Sequence, residues 1–335
     1  MDYSILFKQT FEKLGFDVVL VPNEFDPPYD SVTGWPLKFP KVEFAPNTLL
    51  LMHFQDFITF GNRRIIELDC VADYYGQHAN QIVVTHMHHA LDTVYDGPIN
   101  LIEFSNHNYA LMNLLRGEQH RWQHIVDQPK TLGWQSLNGR MCPHRHRVAD
   151  ILQSWPNGLL SYGNEIPLPE WSYSTYRGTE NHDNFYRLAN VYGKCAVNIV
   201  TETLYDDYPG LFCEKTLLAM AADQVPVMIG YAGIVAHLHE LGFDTFDDVV
   251  DNSFDSLPND QRAEQALIRN QDLILGKIKL THLKPRLIAQ RDFVLNTLPA
   301  WYQSNFQQCA GRLADQLLPK RMRQDFITQS QAVAG

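Results

Sequence analysis

The chain lacks paired C-x-x-C spacing, and its five cysteines (Cys70, Cys142, Cys195, Cys213 and Cys309) are an odd number. They read as reduced thiols in a reducing compartment, mostly filling core space. Positive charge is scarce. The 27 Lys and Arg face 38 Asp and Glu, for a net charge of -11, which argues against a broad basic surface for tracking nucleic acid while leaving room for a local basic cleft. No apolar run is long enough to span a bilayer. The N-terminus, "MDYSILFKQTFEKLGF", is an amphipathic helix containing acids, without the basic start and cleavage site of a signal peptide. A soluble, cytoplasmic protein without membrane insertion is expected. Internal repeats and low-complexity tracts are absent, and so is any D-x-D motif, the nearest match being Glu67-Leu68-Asp69 in a helical context.

What is present is the composition of a folded chain. Of 335 residues, 45% are hydrophobic and 19% charged, too apolar for disorder. The length suggests two domains. "TLLLMHF" (48–54), "QIVVTHM" (81–87) and "INLIEFS" (99–105) are continuous apolar runs, the pattern of buried parallel strands. "EKLGFDVVLVP" predicts a helix end, a glycine stop and a short strand. A boundary falls at "DQPKTLG" (127–133), and the pattern then restarts. Strand "WQSLNG" precedes helix "HRHRVADILQSW" and strand "GLLSYG". After a polar insert and the helical "NFYRLANVYG" come strand "KCAVNIVTE", helix "CEKTLLAMAADQ" and strand "VPVMIG". This alternation predicts an α/β protein. The expected domains are 1–130 and 131–335, the second ending in helices.

The segment "FCEKTLLAMAADQVPVMIG" (212–230) places Glu214 and Lys215 at the mouth of a helix about to be buried. Two readings fit. In one, Glu214 complements the helix dipole and Lys215 is solvated. In the other, the helix N-terminus and Lys215 face a phosphate while Glu214 accepts from sugar hydroxyls. Upstream, "LNGRMCPHRHR" (137–147) holds Arg140, Arg145 and Arg147 in an otherwise acidic chain. Guanidinium forks suit diphosphate oxygens. Residues two apart diverge on a helix, so Arg145 and Arg147 do not share a face. Arg140 and Arg145 are the diphosphate candidates, and Arg147 reads as a surface arginine. Asn138 is either a ligand or a turn residue.

"VNIVTETLYDDYPGLFCEKTLLAMAADQVPVMIG" resembles the donor-binding segment of fucosyltransferase-type glycosyltransferases of the GT-B fold, over roughly residues 134 to 250. In those enzymes an acid-ended strand, a loop, a Thr-Glu-Lys-type helix start and a "PVVLG"-type strand follow one another. Cys213 departs from the usual Thr. The continuation "GIVAHLHELGFDTF" resembles a wider set of bacterial and phage proteins. The resemblance implies two Rossmann-like domains facing a cleft, with the acceptor side in the first and a nucleotide-sugar in the second. It implies donor contacts from Asn138, Arg140, Arg145, Glu202, Glu214 and Lys215. It also implies a catalytic base in the N-terminal half. Asp56, after the strand in "LMHFQDFITFG", is the first candidate and Glu103 the second, although either also suits a cap or turn. The nucleotide-sugar is a substrate, so no cofactor is implied. The acceptor is open: glycan, lipid-linked sugar, protein or nucleobase, the phage likeness bringing in a modified DNA base.

"THMHHALD" (85–92) offers an alternative, a metal-dependent hydrolase using His86, His88 and His89. Ala90 stands where the acid of the metallo-β-lactamase-type motif it resembles belongs, and alternate strand residues point His86 and His88 one way and His89 the other. A further alternative is a non-catalytic nucleotide-binding module. The aromatic-rich loop "EWSYSTYRGTENHDNFYRL" (170–188) reads either as a stacking surface for sugars or bases or as a self-pinned loop.

Overall fold

A computed structural model describes residues 3–21, 41–54, 63–86, 95–139, 142–163, 191–203, 205 and 212–318. Asp56, Arg140, His88, His89 and the aromatic loop 170–188 lie outside the described residues. The protein is α/β, with two four-stranded sheets whose described strand pairs are all parallel. Each sheet belongs to one of two compact units, the first formed by 1–106 and 301–335, the second by 107–300.

In the first unit α1 (Tyr3–Lys13) leads to β1 (Asp17–Leu20). Gly15, at φ 98°, takes the left-handed turn that ends the helix, as the "EKLGF" stop predicts. β2 (Thr48–Phe54), β3 (Ile82–His86) and β4 (Asn100–Glu103) follow in sheet order β1-β2-β3-β4, with α2 (Arg63–Tyr75) between β2 and β3. The unbroken apolar runs of β2 and β3 place Leu49, Leu50, Leu51, Ile82, Val83 and Val84 in the interior, burying consecutive residues rather than alternate ones. Glu67-Leu68-Asp69 lies within α2.

The second unit opens with α3 (Asn106–Gly117), whose first residue closes the preceding unit, and α4 (Gln119–Val126). β5 (Leu132–Asn138), α5 (Pro143–Leu152) and β6 (Gly158–Tyr162) come next, then β7 (Cys195–Thr201), α6 (Glu214–Ala221) and β8 (Val225–Ile229). α5 starts on Pro143, which suits a first helical position. Beyond Ala221, Asp223 at φ 53° turns the chain into β8. α7 (Ile234–Glu240), α8 (Asn259–Arg269), α9 (Gln271–Ile274), α10 (Lys284–Asp292) and α11 (Leu298–Leu317) follow. The strand order is β6-β5-β7-β8. Trp134, Val197, Ile199, Val225, Val227 and Ile229 share one core with Val148 and Leu152 of α5 and Ala263, Ala266 and Leu267 of α8. Gln224 links strands within this interior. Its Oε1 accepts from Gln135 Nε2 at 3.1 Å and Asn198 Nδ2 at 2.8 Å, and its Nε2 donates to the carbonyls of Tyr192 (3.0 Å) and Cys195 (3.1 Å).

The units divide differently from the 1–130 and 131–335 expected from composition. Lys130 donates to the carbonyl of Ala222 at 2.9 Å and Asn108 Nδ2 to that of Phe212 at 2.8 Å, which ties 107–130 into the second unit. Within the first, the rings of Phe7 and Phe306 lie 4.2 Å apart and those of Phe104 and Phe306 5.6 Å apart, so the C-terminal helix supplies part of that core.

Candidate functional site

The connections β5→β6 and β7→β8 run outward in opposite directions from two adjacent strands. In an open parallel sheet such a reversal splays the loops at the carboxyl ends and leaves a crevice there. The two strands end at Asn138 and Thr201, and the Thr201 hydroxyl donates to Asn138 Oδ1. Asn138 Nδ2 donates to Ser136 Oγ at 3.0 Å, and its carbonyl accepts from the Gly163 N–H at 2.8 Å. Asn138 is buried, joining the ends of β5, β6 and β7.

Glu202 follows β7 and is 2% exposed. Its Oε2 accepts from the backbone N–H of Cys213 at 2.8 Å, and its Oε1 accepts from the Thr216 hydroxyl. Cys213, at the N-cap of α6, does not cap the helix with its own side chain. A carboxylate from the neighbouring strand end therefore satisfies the start of this helix, where the dipole favours negative charge. Gly230 permits the approach, because a Cβ there would lie 2.7 Å from Ile234 Cδ1 and 3.2 Å from Glu202 Cβ.

Arg145, 1% exposed on α5, donates through Nη2 to the Thr201 carbonyl at 2.9 Å and to Thr203 Oγ1 at 3.3 Å. Its neighbour His144 donates from Nε2 to the Glu202 carbonyl at 3.0 Å. Burial pushes the His144 pKa down to about 4, with Arg145 and Arg262 acting in the same direction against the Glu202 hydrogen bond. The ring is thus neutral at physiological pH, with its hydrogen on Nε2. It stacks on Tyr205 at a centroid distance of 4.3 Å and an angle of 4°. Tyr205 in turn donates its hydroxyl to the Asn259 carbonyl at 2.7 Å and accepts from the Ala263 N–H at 3.0 Å. Arg262, wholly buried, lies 4.7 Å from the same ring and donates to the carbonyls of Gly230 (2.9 Å), Leu257 (2.7 Å) and Tyr205 (2.7 Å). The segment leaving β7 is therefore held at Tyr205 by stacking and at Glu202 by charge.

Glu214 and Lys215 form an ion pair at 2.8 Å, with about a fifth of each side chain exposed (22% and 20%). Lys215 Nζ lies 3.7 Å from Cys213 Sγ. Burial lowers the Lys215 pKa, but the Glu214 carboxylate at 2.8 Å raises it by more, so the ammonium stays charged. Burial, then Glu202 and Glu214, push the Cys213 thiol upward and keep it protonated. Beside this corner, Cys142, Pro143, His146, Arg147, Asp150 and Tyr162 line a groove of about 460 Å³.

The fold thus brings Asn138, Arg145, Glu202, Glu214 and Lys215 to one corner of the second unit. Three of them are interior and engaged with backbone or hydroxyl groups, while Glu214 and Lys215 reach solvent. Glu103 closes β4 of the first unit. His86 ends β3, and among the described residues no group of three or more His, Cys, Asp or Glu is placed to hold a metal ion. No helix among the described residues is long and apolar enough to cross a membrane. Sequence reasoning did not single out His144, Tyr205, Thr216 or Arg262. Their only signal was position: His144 and Thr216 stand beside Arg145 and Lys215, Tyr205 lies three residues after Glu202, and Arg262 sits on the amphipathic helix 259–269. Comparisons with protein-family models, curated proteins and solved structures each gave no match.

Proposed function

We propose that the protein is a glycosyltransferase of GT-B type that moves a sugar from a nucleotide-sugar donor to an acceptor. The observation that supports this reading is the strand reversal between β5 and β7, with a charged lysine at the adjoining helix start. Such a corner suits a nucleotide diphosphate, which an N-terminal helix turn and a cation both stabilise. In this reading the acceptor oxygen loses its proton to a carboxylate, Asp56 or Glu103, and bonds to the anomeric carbon. The bond from that carbon to the diphosphate oxygen breaks, and its electron pair leaves with the diphosphate. Lys215, Arg140 and the start of α6 stabilise the departing charge. Glu214 binds the ribose when it exchanges Lys215 for sugar hydroxyls. Arg145, Glu202 and Asn138 act from behind by fixing the strand ends. The acceptor is a glycan or, following the phage likeness, a nucleic-acid base.

The test is a thermal-shift screen of nucleoside diphosphates and nucleotide-sugars, followed by chromatography for released nucleoside diphosphate and transferred sugar. A selective hit that is lost in Glu214→Ala and weakened about tenfold in Lys215→Ala supports the reading. Equal stabilisation by every anion defeats it. Binding without donor turnover leaves a nucleotide-binding module in its place.

A further inference from the structure

We propose that Lys130 is a positioning residue for the anion corner: it clasps the carboxyl end of α6 and so fixes where the opposite end, with Glu214 and Lys215, stands. This rests on the donor reading above and adds to it a residue at the far end of the helix from the donor. Lys130 lies in "DQPKTLG", the stretch read from composition as a domain boundary. Its Nζ donates to the carbonyls of Ala222 at 2.9 Å, Val126 at 3.3 Å and Tyr192 at 3.4 Å. An ammonium has three N–H donors, and these three carbonyls take all of them. Val126 is the last residue of α4, and Ala222 is the C-cap of α6. One cation thus serves two helix ends, where carbonyls lack partners and the dipole favours positive charge. Tyr192 precedes β7, the strand that ends at the corner.

α6 is therefore held at both ends by charges that match its dipole. Glu202 takes the Cys213 N–H and the Thr216 hydroxyl at its start, and Lys130 takes the Ala222 carbonyl at its finish. The helix has eight residues and spans about 12 Å at the usual rise per residue. Without the rear tie it keeps a pivot at Glu202 and can tilt, carrying Glu214 and Lys215 off their places. Charged groups from three further elements face the clasp. Arg291 of α10, with 8% of its side chain exposed, donates to Asp127 Oδ1 at 2.9 Å and lies 3.3 Å from Asp223 Oδ2. Cys195 of β7 faces it as a neutral thiol, pushed up to about 12 by burial. Lys194 and Lys284 bear on Cys195 and Asp223. Burial pushes the Lys130 pKa down to about 8, with Asp223 and Asp127 opposing it and Arg291 adding to it. Above that pH the neutral amine has two N–H donors for three carbonyls, and the clasp slackens.

Isothermal titration calorimetry with ADP, GDP, CDP and UDP tests this from about pH 7.5 to about pH 9.5, where the phosphates are ionised throughout. Wild type should bind at least one of them, with an affinity that falls as the pH rises through about 8. A small misplacement of binding groups is costly, so Lys130→Met should bind about tenfold more weakly at the lower pH and show no step. Lys130→Arg, charged at every pH used, should keep the wild-type affinity at the lower pH and also lose the step. A lysine that only stabilised the fold would lower the unfolding temperature and leave both the affinity and its pH profile alone. Hydrogen exchange without ligand should show the amides of Thr216, Leu217 and Leu218, in the first turn of α6, opening faster in Lys130→Met together with those of the last turn. Equal affinity in wild type and Lys130→Met, a wild-type profile without a step, or faster exchange confined to the last turn overturns the positioning role and leaves the donor reading standing. No binding of any diphosphate to wild type overturns the donor reading and this role with it. If Lys130→Met does not fold, the wild-type profile and Lys130→Arg decide.

Discussion

Replacing Glu202 by alanine tests whether a carboxylate from the neighbouring strand end secures the start of α6. The change deletes the acceptor for the Cys213 N–H and for the Thr216 hydroxyl. Hydrogen bonds to a charged group contribute about 1.5–3 kcal/mol each. The two share one carboxylate and are not additive, so a loss of about 3 kcal/mol is expected in all. For a unit of this size each kcal/mol moves the midpoint by about 2–4 °C, which places Glu202→Ala about 6–12 °C below wild type. Glutamine keeps the shape, one acceptor for the N–H and a donor for the Thr216 oxygen, and loses mainly the charge–dipole attraction. That is about 1 kcal/mol, or about 2–4 °C. Differential scanning calorimetry at neutral pH reads both variants. An alanine variant within a degree of wild type, or a glutamine variant as unstable as alanine, refutes the capping role.

Gly230→Ala should destabilise by about 1–3 kcal/mol in urea titration, since its methyl group crowds Ile234 and Glu202, whereas an unchanged midpoint would mean that the contact relaxes freely. Arg262→Lys should cost about 3 kcal/mol, because one ammonium cannot serve the carbonyls of Gly230, Leu257 and Tyr205 in the geometry of a planar fork; tolerance of lysine by chemical denaturation would count against it. The depressed pKa of His144 predicts pH-dependent stability. Between the ordinary value of 6.5 and the folded value of about 4 the unfolded chain binds the extra proton, so this contribution is whole above that window and is lost as pH falls through it. The loss amounts to at most about 3 kcal/mol. Urea midpoints from pH 7 to 4 should fall more steeply for wild type than for His144→Gln, and parallel curves would remove His144 as the cause.

The elements around the corner were legible because their signals are local. "VPVMI" is an unbroken apolar run, "AVNIV" is apolar apart from Asn198, and Pro143 opens α5. The role of the charged residues was less legible. Glu202 and Arg145 read as ligands because they sit where ligands bind, yet their partners are eleven or more positions away, at Cys213, Thr216, Thr201 and Thr203. No periodicity encodes such pairings. The rule that residues two apart diverge did separate Arg145 from Arg147, but which one turns inward depends on where the sheet lies. The grouping of residues 107–130 with the second sheet likewise rests on contacts such as Lys130 with Ala222, which composition does not reveal.

The return of the C-terminal helix to the first unit has a consequence for biosynthesis. Phe306 meets Phe7, Phe11 and Phe104 in one aromatic cluster. A ribosome making this protein releases the described strands of the first sheet well before residue 306, so that sheet lacks part of its core until synthesis has passed that point. The middle of the chain can complete its own interior first, reversing the usual vectorial order. A premature stop before residue 301 would thus harm the first unit most, although its strands are made before those of the second.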